Sequence, residues 1–262
     1  MAAEAAWLVP AAAALGRHAL ALFLALLLLL PLLGWAGWQR LSAGSGVTGP
    51  AGCRRRSRIG VAAAALGGAV FATLATLLTT GDALPAADQA FANAVRASVP
   101  AAALSVFAAL THLADTATLT ALCTVMALWM AARRQPTLAV GWVLAVAGNG
   151  VLNRSLKALF GRARPLGADP SWAETGLSFP SGHSSGAVVA CGMLVYTVLR
   201  LLPARWHSAA LVAAVALAWT IGASRVFLGV HFASDVIAGF ASGGMWLLLC
   251  FGAMGLARAP SR

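Results

Sequence analysis

Residues 138–160 read LAVGWVLAVAGNGVLNRSLKALF, and residues 161–165 follow as GRARP. The run is long and apolar enough to cross the hydrocarbon core as a helix, which takes about 20 residues at ~1.5 Å each. It closes on three cations, Lys157, Arg162 and Arg164, and Lys157 is the only lysine in a chain that otherwise uses arginine. One ammonium kept beside two guanidinium groups points to a phosphate. Arginine offers phosphate oxygens a planar fork, whereas lysine acts as a point charge.

Working outward, six more stretches are long enough to span: Ala19–Trp38, Ile59–Thr80, Leu110–Ala132, Ser184–Leu202, Ser208–Ala223 and Asp235–Gly255. With 60% hydrophobic and 10% charged residues and a mean hydropathy of +0.84, the chain reads as all-α, a polytopic transmembrane helical bundle. Residues 1–53 form an N-terminal hydrophobic segment with a Gly/Ser/Arg-rich linker, 54–256 a six-helix domain, and 257–262 a short tail. Pro31 offers a bend in the first stretch, and no small-residue cleavage site follows Leu33, so a signal peptide is not expected. Pro100 can start a helix that carries the Leu110 span beyond the bilayer. No repeat of fixed period is evident.

The arginines fall in alternate loops: Arg54, Arg55, Arg56 and Arg58; Arg133 with Arg134; Arg200 with Arg205; Arg258 with Arg262. The positive-inside tendency puts these loops in the cytoplasm. The loops around 81–109, 161–183 and 224–234 then face outward, and Arg164, His183, Arg225 and His231 share that side. The net charge of +11 is thereby spent on topology, and no aromatic-interleaved basic patch suggests nucleic acid. Cys53, Cys123, Cys191 and Cys250 show no metal-ligand spacing and read as packing residues, with Cys53 in a cytoplasmic loop.

Two further segments complete a constellation. Pro180-Ser181-Gly182-His183 precedes an apolar helix: Ser181 can cap it, Gly182 lets backbone approach an anion, and His183 can protonate a leaving alkoxide. Ser224-Arg225 is followed by His231 and Asp235, four apart and stacked on one face if the helix has begun. A carboxylate on one ring nitrogen fixes the tautomer and frees the other to attack. Arg162 lies outside this spacing and reads equally as an interfacial anchor. His112 and Asp115 read as a hydrogen-bonded pair or as residues of a substrate entrance. Asn149 and Asn153 read as interhelical contacts, Trp35, Trp38, Trp142 and Trp206 as interfacial anchors, and Asp169 and Glu174 as solvated acids.

Lys157-(six residues)-Arg164-Pro165, Pro180-Ser181-Gly182-His183 and Ser224-Arg225-(five residues)-His231-(three residues)-Asp235 together resemble the tripartite signature of the type 2 phosphatidic acid phosphatase superfamily. The resemblance covers about residues 59–256 and implies a bacterial cell-membrane lipid phosphatase, whose site the arginine loops place toward the periplasm. By it, His231 is the nucleophile that forms a phosphohistidine, Asp235 orients it, and His183 serves as acid and then base. Lys157, Arg164, Ser181, Gly182 and Arg225 would hold the phosphate. No metal and no cofactor are expected. The expected partners are a lipid phosphate substrate and membrane lipids, with phosphatidate, phosphatidylglycerol phosphate and undecaprenyl diphosphate as candidates. A phosphotransferase using the same phosphohistidine, a soluble-type vanadium haloperoxidase and a transporter are the alternatives. Charges gathered at one face rather than at mid-bilayer argue against the last.

Overall fold

The computed structural model describes residues 2–42, 50–167 and 175–256. Asp169, Glu174, Arg258, Arg262 and the 257–262 tail lie outside them. Ten α-helices and no strand occur among the described residues: α1 (Ala2–Arg17), α2 (Ala19–Ser42), α3 (Pro50–Thr80), α4 (Ala83–Ser98), α5 (Ala101–Thr111), α6 (Thr116–Ala132), α7 (Pro136–Phe160), α8 (Gly182–Leu201), α9 (His207–Phe227) and α10 (Ala233–Leu256). Among the described residues six helices are long and apolar enough to cross a membrane, and α4 with α5 make a seventh only if that bent pair counts as one span.

Several boundaries differ from the sequence reading, each for a local reason. The span expected over Leu110–Ala132 is broken. Asp115 is extended (φ −61, ψ 150) and starts α6 afresh, and its carboxylate engages histidines instead of the free N–H groups of α6. Between α4 and α5 the chain turns by 116°. Pro100 has no N–H and crowds the residue before it, so Val99 is extended (φ −90, ψ 127). The Arg54–Arg58 run and Cys53 are not in a loop but in the opening turns of α3. Pro50 suits a first helical position, and arginine is a good helix former. Pro31 does not end α2, which runs through it. At the other end α9 runs past Ala223 to Phe227, so Ser224 and Arg225 sit in its last turn rather than in a loop.

Two helices were not foreseen. The polar 81–99 segment forms α4, whose Ala87, Ala92 and Val95 are buried, and α1 packs along it. A Cβ at Gly16 would lie 2.7 Å from both Ala94 Cβ and Phe91 O, so only glycine permits that approach. Around this pair Phe23 of α2, Val95 of α4, Phe107 of α5 and Phe227 of α9 build one core cluster. A second joins Met130, Trp142, Met193 and Leu247 from α6, α7, α8 and α10. Trp142, expected as an interfacial anchor, is wholly buried there and donates its indole N–H to Thr197 Oγ1 at 3.1 Å. Cys123, Cys191 and Cys250 are buried and unoxidised.

One contact sets the site. Gly239 and Gly243 put two bare patches one turn apart on α10, and a Cβ at either would fall 2.6–2.7 Å from the carbonyls of Ser181 and Ser185. Small residues let membrane helices approach this closely. The N-terminus of α8 is thereby pressed against that of α10, where Asp235 O accepts from Ser181 N at 3.0 Å.

Candidate active site

Four chain segments converge at one end of the bundle: the last turns of α7 and α9, the first turns of α8 and α10, and the loops between them. Val226–Phe232 turns tightly, with the Arg225 carbonyl accepting from both Val230 N and His231 N at 3.1 Å and Gly229 at φ 70. His231 lies just before α10 rather than within it, yet Asp235 in the first turn still reaches back to it, Oδ2 to Nδ1, at 3.4 Å. The same Oδ2 accepts from Phe232 N at 3.0 Å and from Ser178 Oγ at 2.5 Å, while Oδ1 accepts from Arg162 at 2.6 Å. A buried carboxylate with this many donors is fully compensated for leaving water.

The tautomer of His231 follows from its other neighbour. Arg164 lies 3.2 Å from Nε2, and a guanidinium can only donate, so Nε2 presents a lone pair and Nδ1 carries the proton toward Asp235 and Ser178. Burial lowers the pKa of this imidazole to about 4, with Arg164 and Arg225 adding to the fall and Asp235 opposing it. The ring is therefore neutral near pH 7, and its bare nitrogen is flanked by cations.

His183 makes a second, more open pair. Its Nε2 lies 2.8 Å from Asp115 Oδ1, while Oδ2 of that carboxylate takes His112 Nδ1 at 2.7 Å. Burial alone would raise the Asp115 pKa, but the hydrogen bonds and charge of the two histidines outweigh it and hold the carboxyl below its ordinary value. An ionised Asp115 accepts from the His183 Nε2–H.

Of the residues singled out in the sequence, Lys157, Arg164, Gly182, His183 and His231 line one cavity of about 740 Å³. Lys157 Nζ donates to the Leu177 carbonyl and, at 3.4 Å, to that of Ser178. Arg164 also donates to Val230 O at 2.7 Å and Gly176 O at 3.2 Å. Arg225, buried behind this wall, donates to Thr111 Oγ1 at 2.7 Å. Ser181 is fully buried and caps α8, its Oγ accepting from Ser184 N at 3.3 Å and Ser184 Oγ at 2.9 Å. Its hydroxyl lies outside the cavity lining. Asn149 and Asn153 reach across to α8, donating to Ser185 Oγ at 3.3 Å and Pro180 O at 3.3 Å.

Further residues complete the network around Asp235. Arg162 lies 12% exposed between Asp88 of α4 (2.7 Å) and Asp235 (2.6 Å), stacked 4.0 Å over the Phe232 ring. The sequence offered it as a phosphate-facing cation or an interfacial anchor, and neither reading pointed to an acid in the 81–99 segment. Ser234 Oγ adds a hydrogen bond to Asp88. Ser178, between two motifs, had no mark at all.

A family model described as the PAP2 superfamily matches residues 138–258. Phosphatidylglycerophosphatase B of Bacillus subtilis (strain 168) is 32% identical over 69% of this chain and 88% of its own length. A lipid A 1-phosphatase of Rhizobium etli is 36% identical over 42% of this chain and 50% of its own. The crystal structure of a transmembrane PAP2-type phosphatidylglycerolphosphate phosphatase from Bacillus subtilis superposes with a TM-score of 0.69. It is 28% identical to this chain, and the match covers 76% of this chain and 98% of that one.

Proposed function

This chain belongs to the PAP2 superfamily and is a membrane lipid phosphatase, and we propose that it cleaves a lipid phosphomonoester or diphosphate through a phosphohistidine on His231. One observation carries the reading: a donor-only Arg164 at 3.2 Å marks Nε2 of the buried His231 as a lone pair, with Asp235 on the opposite ring nitrogen. A neutral ring nitrogen among fixed cations suits in-line attack on phosphorus.

In the first step the Nε2 lone pair forms a bond to phosphorus as the bond to the lipid oxygen breaks. Lys157, Arg164 and Arg225 offset the negative charge spread over the equatorial oxygens. Protonated His183 gives its proton to the leaving oxygen and becomes the base for the second step. It then takes a proton from water, whose oxygen attacks phosphorus while the P–N bond breaks. Inorganic phosphate leaves, His231 is neutral again, and His183 is recharged. Asp235 stabilises the positive ring while phosphorus is attached. Gly182 and the N-terminus of α8 lie beside the phosphate, with Ser181 acting through the cap.

The tail would stay in the bilayer, along the apolar part of the cavity formed by Leu128, Val143 and Val146. With α6, at 17 residues, as the crossing between Thr80 and Arg133, the distribution of arginines turns the site outward. Phosphatidate, phosphatidylglycerol phosphate and undecaprenyl diphosphate all present the required group. His231→Ala should abolish phosphate release from all three in purified protein, and EDTA should leave the wild-type rate unchanged. Turnover surviving that substitution, or lost to the chelator, would overturn the mechanism.

A further inference from the structure

Arg154 belongs to none of the three motifs. It lies three residues before Lys157 on α7, hence on nearly the same face and about 4.5 Å further from the helix's outer end. It lines the same cavity as Lys157, Arg164 and His231, and it is exposed there. Among the described residues no hydrogen bond or ion pair engages its guanidinium. The acids of the site are committed elsewhere, Asp88 and Asp235 to Arg162 and Asp115 to the two histidines. A cation at membrane depth is costly without a counter-charge, so the lack of a protein partner calls for one from a ligand.

The cavity also has an order. Along α7 its lining runs from Lys157 through Arg154 and Gly150 to Val146 and Val143, and along α6 from Thr116 and Thr120 to Ala127 and Leu128. Cations and histidines thus occupy one end and aliphatic side chains the other. A lipid with its scissile phosphate at His231 and its tail at the aliphatic end must carry its connecting group past Arg154.

We propose that Arg154 is a subsite for a second, uncleaved phosphate, which selects lipids whose scissile phosphate is separated from the tail by another phosphate. Diphosphates and glycerol-linked bisphosphates belong to that class; a monophosphate joined directly to diacylglycerol does not. The proposal rests on His231 being the point of attack. A planar guanidinium fork matches two phosphate oxygens, whereas the acyl esters of a monophosphate lipid give it no anion to hold.

The test compares phosphatidylglycerol phosphate, a polyprenyl diphosphate and phosphatidate on the same preparations of wild type, Arg154→Gln and Arg154→Lys. Arg154→Gln should lower kcat/KM about 10- to 100-fold for the two-phosphate lipids, the range for losing a hydrogen bond to a charged group. For phosphatidate the loss should stay within about twofold. Arg154→Lys should fall between wild type and Arg154→Gln. Because the readout is a ratio between substrates, the fraction of correctly folded variant cancels. An equal loss on all three lipids, or no loss on any, would make Arg154 an interfacial anchor and overturn the subsite. Loss on only one two-phosphate lipid would overturn the shared class. Wild type releasing phosphate from none of the three would instead defeat the underlying phosphatase reading, and the subsite with it.

Discussion

Two histidine–aspartate pairs face one cavity, and they are built differently. His231 and Asp235 are sealed, at 1% and 0% side-chain exposure, and the carboxylate is held by donors from three separate segments. His183 and Asp115 are open, at 15% and 39%, and their carboxylate leads to His112, which is 67% exposed. A nucleophile must keep one tautomer and one direction, so rigidity serves it. An acid that becomes a base within the same turnover must change protonation, and partial exposure with a shared carboxylate serves that. On the proposed mechanism the same two residue types would serve opposite tasks, separated by burial and by the partners of each carboxylate.

Substitutions in each pair should separate these tasks. Asp235→Asn is expected to cost most, about 10³- to 10⁴-fold in kcat, because an amide can hold the wrong tautomer of His231. It also removes the group that raises the His231 pKa, so the acid limb of the pH–rate profile should move further below about 4. With the wild type, protonation of the nucleophile should cost little activity until pH falls toward about 4, since the neutral form persists well below the ordinary value of 6.5.

His183→Ala comes next, about 10²- to 10³-fold for an alkyl lipid phosphate measured by phosphate release. The loss should be much smaller in the burst of phenolate from an aryl phosphate, whose leaving group needs no proton; an equal loss there would remove the acid role. Arg162→Gln should cost about 10- to 100-fold and lower the melting temperature in detergent, since it strands Asp88 and Asp235 without their shared cation. A wild-type rate and melting temperature would mean that the α4 tie is incidental. Asp115→Asn should be mildest, about tenfold or less. Without the adjacent carboxylate the His183 imidazolium is less stable, so the basic limb should shift to lower pH. An unmoved limb would detach Asp115 from the acid.

The parts of the site that were legible in the sequence are those fixed by short-range spacing. His231 and Asp235 are four apart, and Lys157 and Arg164 bracket one helix end, so both relations survive whatever the tertiary packing does. The helices carrying them were legible because long apolar runs leave few alternatives. What stayed hidden depends on distant packing. Asp88 is 74 residues from Arg162, and its helix reads as a polar loop until Ala87, Ala92 and Val95 find α1 and α9 to cover them. Asp115 was marked as a partner for His112, but the break that turns it toward His183 sits inside a stretch that looks like one continuous span. Trp142 was misread because an indole near a helix end suits either the interface or a buried hydroxyl partner, and only the position of Thr197 decides.

The most direct measurement is capture of the covalent intermediate. Wild-type protein mixed with radiolabelled lipid phosphate and quenched within milliseconds should carry label that is stable to alkali and lost in acid, as a phosphoimidazole is, and peptide mapping should locate it on His231. Absence of label from a rapidly turning over enzyme, or label retained by the His231→Ala protein, would contradict attack by that ring.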